Sequence, residues 1–119
     1  MKTLVADIGG TNSRLAVALT SRTDKEIILN NVQKFRNTDF NDFEEVIEKY
    51  LSILDNKLIN RMCIAAAGII SENTVEMSNL NWKITSSSLR RAAKIDKVLI
   101  INDLQAQGYA LDFIKPKDL

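Results

Sequence analysis

Small polar and aliphatic residues alternate over residues 2–8 (Lys2-Thr3-Leu4-Val5-Ala6-Asp7-Ile8), which is the period of a β-strand. Gly9-Gly10-Thr11-Asn12 is a turn signal. Residues 13–20 read as a second strand, 21–26 as a charged turn, and 27–35, rich in Ile, Leu and Val, as a third. Strands this close together must pair as antiparallel hairpins, because a parallel crossover takes a dozen or more residues. Near residue 38 the period changes. Phe40, Phe43, Val46, Ile47, Tyr50, Leu51 and Leu54 recur at three and four, the apolar stripe of a helix, with Asp39 or Asn41 as its N-cap. Residues 61–67 form a short apolar run closed by Gly68, read as a buried strand, and 73–77 read as a further short one. Residues 86–94 read as a helix capped within Ser86-Ser87-Ser88. Val98-Leu99-Ile100-Ile101 has no polar alternation, as expected of a strand covered on both faces of a parallel sheet. Residues 102–113 read as a closing helix, with Pro116 beyond its end.

Three meandering strands followed by strand–helix alternation predict an α/β fold: a mixed five-stranded sheet, its first three strands antiparallel, flanked by helices. That order is the ribonuclease H-like arrangement. The length of 119 residues suits one domain and not two. Lys plus Arg number 16 against 15 for Asp plus Glu, so a net charge of +1 supplies no pull toward nucleic acid or a membrane surface. The apolar runs are too short to span a bilayer, and Asp7 with two glycines arrives too early for a signal peptide. The expected location is the cytoplasm. The sequence has no His, which excludes Ser–His or Cys–His nucleophilic catalysis and His-based metal sites within these residues. Cys63 is the only cysteine, so it has no internal disulfide partner and is expected as a small buried hydrophobe.

Three segments carry candidate chemistry. In Ala6-Asp7-Ile8-Gly9-Gly10-Thr11-Asn12 a carboxylate ends a strand and two glycines turn the chain. Glycines let backbone N–H groups come close to a phosphate, and Thr11 adds a hydroxyl. Asp7 suits a magnesium ion held through its waters, since magnesium keeps much of its hydration shell. The spacing is neither that of a Walker A loop nor that of a dinucleotide fingerprint; a plain hairpin turn capped by Asp7 is the competing reading. In Ile101-Asn102-Asp103 a carboxylate stands at the carboxyl end of a buried strand, where open sheets gather ligands and a general base is well held. Asn102 beside it offers a donor and an acceptor to hydroxyls; here the competing reading is that Asn102 or Asp103 simply caps a helix. In the third segment, Ala66-Ala67-Gly68 leaves space after a strand, and Ser78, Asn79 and Asn81 offer polar groups suited to a polyol. Trp82 either packs on a sugar face or fills the core, and the core role is the expected one.

Taken together and in order, these segments resemble the bacterial glucokinase family of the actin, heat-shock chaperone and sugar-kinase superfamily. Asp7-Ile8-Gly9-Gly10-Thr11-Asn12-Ser13-Arg14-Leu15-Ala16 is similar to the family's first phosphate motif, Ile101-Asn102-Asp103-Leu104-Gln105-Ala106-Gln107-Gly108 to its Asn-Asp segment, and Met77-Ser78-Asn79-Leu80-Asn81-Trp82 to its substrate loop. Two departures are hydrophobic: Ile69-Ile70 follows Gly68 where Pro is common, and Leu104 stands where Phe is usual.

The resemblance implies phosphoryl transfer from ATP to glucose or a related hexose. Asp103 would be the catalytic base, and Asn102, Asp103, Asn79 and Gly68 the sugar site. Ala6, Asp7, Ile8, Gly9, Gly10 and Thr11 would face the ATP phosphates, with Asp7 toward a Mg2+ ion. It also implies a second, larger lobe with another phosphate loop and the adenosine pocket, so residues 1–119 are expected to be the N-terminal lobe, inactive alone. A homodimer of the complete enzyme is left open. The alternatives are a related hexose or amino-sugar kinase, a non-catalytic sugar-sensing or partner-binding lobe, and a two-metal nuclease built on Asp7, Glu44 or Glu48, and Asp103. The nuclease would need further clustered carboxylates, and residues 62–67 supply none.

Overall fold

The computed structural model describes residues 2–20, 27–54, 59–66, 69–71, 73–77 and 80–102. Three strands open the chain: β1 (Lys2–Ile8), β2 (Asn12–Thr20) and β3 (Ile27–Arg36). A single 3-10 turn (Asn37–Asp39) leads to helix α1 (Phe43–Ile53). Then come β4 (Arg61–Ala66), β5 (Ile69–Ser71), β6 (Thr74–Met77), β7 (Trp82–Thr85), α2 (Ser86–Ala93) and β8 (Lys97–Asn102).

Five strands form one mixed sheet in the order β3-β2-β1-β4-β8. β1 pairs antiparallel with β2, and β2 with β3, while β4 runs parallel to both β1 and β8. The expected mixed sheet, antiparallel in its first three strands and flanked by helices, is therefore present. β5, β6 and β7 make a second, antiparallel sheet that the sequence reading had only as one strand near residues 73–77.

Successive strand residues face opposite sides of a sheet. Leu4, Ala6, Ile8, Leu15, Val17, Met62, Ile64 and Ala66 face one way, into the core that also holds Phe43, Val46, Ile47 and Tyr50 of α1. Val75, Met77, Trp82 and Ile84 of the small sheet close the same core. Trp82 packs its ring against Phe43, with centroids 6.2 Å apart, so its role is core packing. Val5, Ala16 and Ala18 form a smaller cluster on the other side of the sheet. Cys63 joins it but is only partly buried, short of the full burial expected; what burial it has pushes its thiol pKa up.

The helix α1 follows its apolar period, but its cap differs from expectation. The N-cap is Asp42, whose carboxylate accepts from the Glu45 N–H at 2.9 Å; neither Asp39 nor Asn41 fills that place. Asn41 instead donates its backbone N–H to the Glu45 carboxylate at 2.6 Å, so the two side chains lock the first turn reciprocally. Phe40 stays outside the helix and meets Phe35 edge-on at 5.8 Å. In α2 the cap is Thr85, whose hydroxyl oxygen accepts from the Ser88 N–H at 3.0 Å, one residue before the serines expected there. Asn102 ends a strand instead of starting a helix, and the expected helix over 102–113 otherwise falls outside the described residues. No described helix is long and apolar enough to cross a membrane.

Candidate functional site

The parallel pairing puts three strand ends side by side. Ile8 at the end of β1 is the register partner of Ala66 at the end of β4, and Ala66 that of Asn102 at the end of β8. Neighbouring strands lie about 4.8 Å apart, so the three ends span roughly 10 Å. The segments after β1, after β4 and after β8 all start from this one edge, although they are far apart in sequence. Residues outside the carboxyl ends of parallel strands are where open sheets collect ligands.

The turn after β1 is built closely. The Gly9 N–H donates to the Asn12 carbonyl at 2.9 Å. A Cβ on Gly9 would come within 3.2 Å of that same carbonyl oxygen, which would have to give by a few tenths of an ångström, so the glycine eases the close approach. It is not needed for a left-handed backbone, since no described glycine has a positive φ. Gly10 and Thr11 are exposed at the tip.

A residue absent from the expected site holds this turn from behind. Asn37 and Ser13 are both fully buried. The Ser13 hydroxyl donates to the Asn37 Oδ1 at 2.6 Å, and the Asn37 Nδ2 donates to the Gly9 carbonyl at 2.8 Å. The Asn37 backbone N–H donates to the Thr11 carbonyl at 2.9 Å. One legible signal existed: Ser13 alternates in phase with Leu15 and Val17, so it had to face inward, and a buried hydroxyl needs a partner.

Asp7 is partly buried in the last turn of pleat before the glycines. It stands directly opposite Arg14 on β2 and beside Ala65 on β4. Opposite charges at directly facing positions stabilise an antiparallel pair by roughly 0.2–1 kcal/mol. Ala6 and Ile8 point into the core and are paired in register with both β2 and β4, so their side chains do not reach a ligand at this edge. Asn102 brings its backbone to the shared edge. Gly68, Asn79 and Asp103 lie outside the described residues. Of the expected polyol loop, Asn81 is described: its φ of 54° is the left-handed turn position that Asn tolerates, in the connection between β6 and β7. A cavity of about 200 Å³ near Lys2, Leu19 and Leu54 lies at the opposite end of β1 and is no part of this edge.

A single carboxylate beside the turn is a donor set for a cation that keeps its waters, and not for a cage of protein ligands. The described residues hold no group of three or more His, Cys, Asp or Glu able to bind a metal.

Among known proteins, the glucokinase family model matches residues 4–119. The glucokinase of Caulobacter vibrioides is 38% identical over 116 residues, which are 98% of this chain and 34% of that protein. The crystal structure of a glucokinase from an Antarctic psychrotroph superposes with a TM-score of 0.84 at 31% identity, covering 98% of this chain and 36% of that one. A ROK family glucokinase from Streptomyces griseus, solved in complex with glucose and AMPPNP, superposes at 0.66 with 18% identity over 93% of this chain and 36% of that one, a likeness of fold. The chain thus spans about a third of the length of the relatives it matches.

Proposed function

Since the chain belongs to the glucokinase family, we propose that it is the sugar-binding lobe of a two-lobed kinase, one that transfers the terminal phosphoryl group of ATP to the primary hydroxyl of glucose. The observation that carries this reading is the shared edge where β1, β4 and β8 end side by side, with the 9–12 turn beside it. The Streptomyces griseus neighbour, with its glucose and ATP analogue, supports a sugar and a nucleotide as the two ligands. The antiparallel opening of the sheet and its parallel continuation agree with a ribonuclease H-like lobe.

The roles follow from the chemistry of each group. Asp103, the next residue after β8, accepts the proton of the sugar hydroxyl as it attacks. Asn102 and Asn79 hold neighbouring hydroxyls, and Gly68 leaves room for the ring. The exposed tip at Gly10 and Thr11 faces the phosphates, while Ala6, Ile8 and Gly9, whose backbone is engaged in the sheet and the turn, shape the platform beneath it. Asp7 would hold a magnesium ion, which would supply charge neutralisation on the phosphates. Phosphoryl transfer depends mainly on position and on stabilising charge. Half a site therefore gives almost nothing, and the second lobe supplies what this chain lacks.

The test compares the complete two-lobed protein with the 119-residue chain in an ADP-coupled assay on glucose. The complete protein should turn over, and the chain alone should fall far below ordinary enzyme rates of about 1–1,000 per second. A complete protein that binds glucose without transferring phosphate would support the sugar-sensing alternative and overturn this reading.

A further inference from the structure

Asn37 lies in no motif, yet it is fully buried and placed where β3 ends. A buried amide is unfavourable unless its donor and acceptor are both used. Asn37 uses its Oδ1 on Ser13 and its Nδ2 on the Gly9 carbonyl, while its backbone N–H takes the Thr11 carbonyl. Its own carbonyl accepts from the Phe40 N–H at 3.1 Å, which anchors it to the chain leading into α1. Asn37 thus holds two carbonyls of the turn, those of Gly9 and Thr11, and the Asn12 carbonyl is closed within the turn by the Gly9 N–H. Their partial negative charge is thereby removed from the outer rim, where Gly10 and Thr11 are exposed. A rim cleared of carbonyls suits an anion.

We infer that Asn37 is a positioning residue for the nucleotide phosphates: it holds the Gly9 and Thr11 carbonyls inward and so fixes the turn in its receiving shape. This rests on the kinase reading above and adds a residue that does not itself touch a ligand. An apolar residue of similar size would fill the space at less desolvation cost, so the amide is explained by the shape it imposes.

The experiment uses Asn37→Ala and Ser13→Ala in the complete enzyme, with KM measured separately for nucleotide and glucose. Amide hydrogen exchange over residues 9–12 is followed in the 119-residue chain. Asn37→Ala should raise the nucleotide KM about tenfold, the size of one lost hydrogen bond expressed as an equilibrium, and speed exchange in the turn. The glucose KM should stay within about twofold, because the sugar meets other segments. Ser13→Ala leaves the bond to Gly9 in place and should raise the nucleotide KM roughly threefold, a weaker coupling of the same kind. An Asn37→Ala enzyme that melts earlier but keeps its nucleotide KM would make Asn37 a packing residue and overturn the inference. If Asn37→Ala does not fold, Ser13→Ala with unchanged nucleotide KM and unchanged exchange overturns it equally. Wild-type enzyme that binds no nucleotide overturns the kinase reading and the phosphate role with it, whereas unchanged exchange in Asn37→Ala overturns the clamp alone.

Discussion

The Ser88 hydroxyl donates to the Glu44 carboxylate at 2.6 Å and ties the first turn of α2 to the first turn of α1. Glu44 is thus engaged in holding two helices together. It also lies on the wrong side of the sheet for the nuclease alternative. α1 packs on the face of Ala6 and Ile8, and Asp7 between them faces the other way. Glu48 is exposed on the same helix. A two-metal site needs its carboxylates about one metal pair; Asp7 and the carboxylates of α1 do not converge.

The reciprocal cap of α1 sets a stability test. Asp42→Ala removes the acceptor for the Glu45 N–H and should cost about 1 kcal/mol. Asp39→Ala, at an exposed position outside the cap, should stay within about 0.5 kcal/mol. Chemical denaturation of the chain checks both; equal losses would contradict the assignment of the cap.

Tyr50 sets a pH test. Its hydroxyl donates to the Asn31 carbonyl at 2.8 Å, and burial pushes its pKa up from 10.0 to about 12. The folded state therefore holds this proton more tightly than the unfolded chain. The associated stability is complete below pH 10 and is lost as the pH rises from there through about 12. Denaturation curves across this window should show the loss, and Tyr50→Phe should flatten it while costing about 1 kcal/mol at neutral pH through the lost hydrogen bond. A wild-type slope unchanged by Tyr50→Phe would contradict the account.

The carboxylate of Asp7 sets a metal test in the complete enzyme. Asp7→Asn keeps the shape but loses the charge that holds a hydrated cation. The magnesium concentration for half-maximal activity should rise about tenfold, equivalent to one charge-assisted hydrogen bond, with the fold preserved. An unchanged magnesium requirement would leave Asp7 as the partner of Arg14 across the hairpin and nothing more.

How much of this could be read from the sequence depended on how local each feature is. β1, β2, β3 and α1 are written in short-range periods, and hairpin pairing follows from close spacing, so they were legible. The cap, Asp42, lies one residue from Asn41 and three from Asp39; all three are competent caps, and only the turn geometry chooses among them. β5 and β7, of three and four residues, are too short to display a period, so Trp82 at the start of β7 reads in the sequence as part of a loop. Asn102 follows an apolar run expected to be covered on both faces, but β8 is an edge strand of the sheet and Leu99 is 58% exposed among the described residues; a polar residue after such a run reads equally as a strand end or a helix cap. Asn37 was invisible because its partners Ser13 and Gly9 are 24 and 28 positions away. The turn itself is legible from Gly9-Gly10, but the nearness of the Asn12 carbonyl to Gly9 is not.

The central claim is that this lobe carries the base for phosphoryl transfer, and Asp103→Asn in the complete enzyme tests it most directly. Asn keeps the size and most of the hydrogen bonding of Asp but cannot accept the proton. Turnover should fall by about 100- to 10,000-fold, the usual size of a general-base contribution. The KM for glucose should move far less, because the amide still meets the hydroxyl. As a helix cap Asn serves as well as Asp. Asp103→Asn with wild-type turnover and an unchanged KM for glucose would therefore reduce Asp103 to a cap and contradict the mechanism.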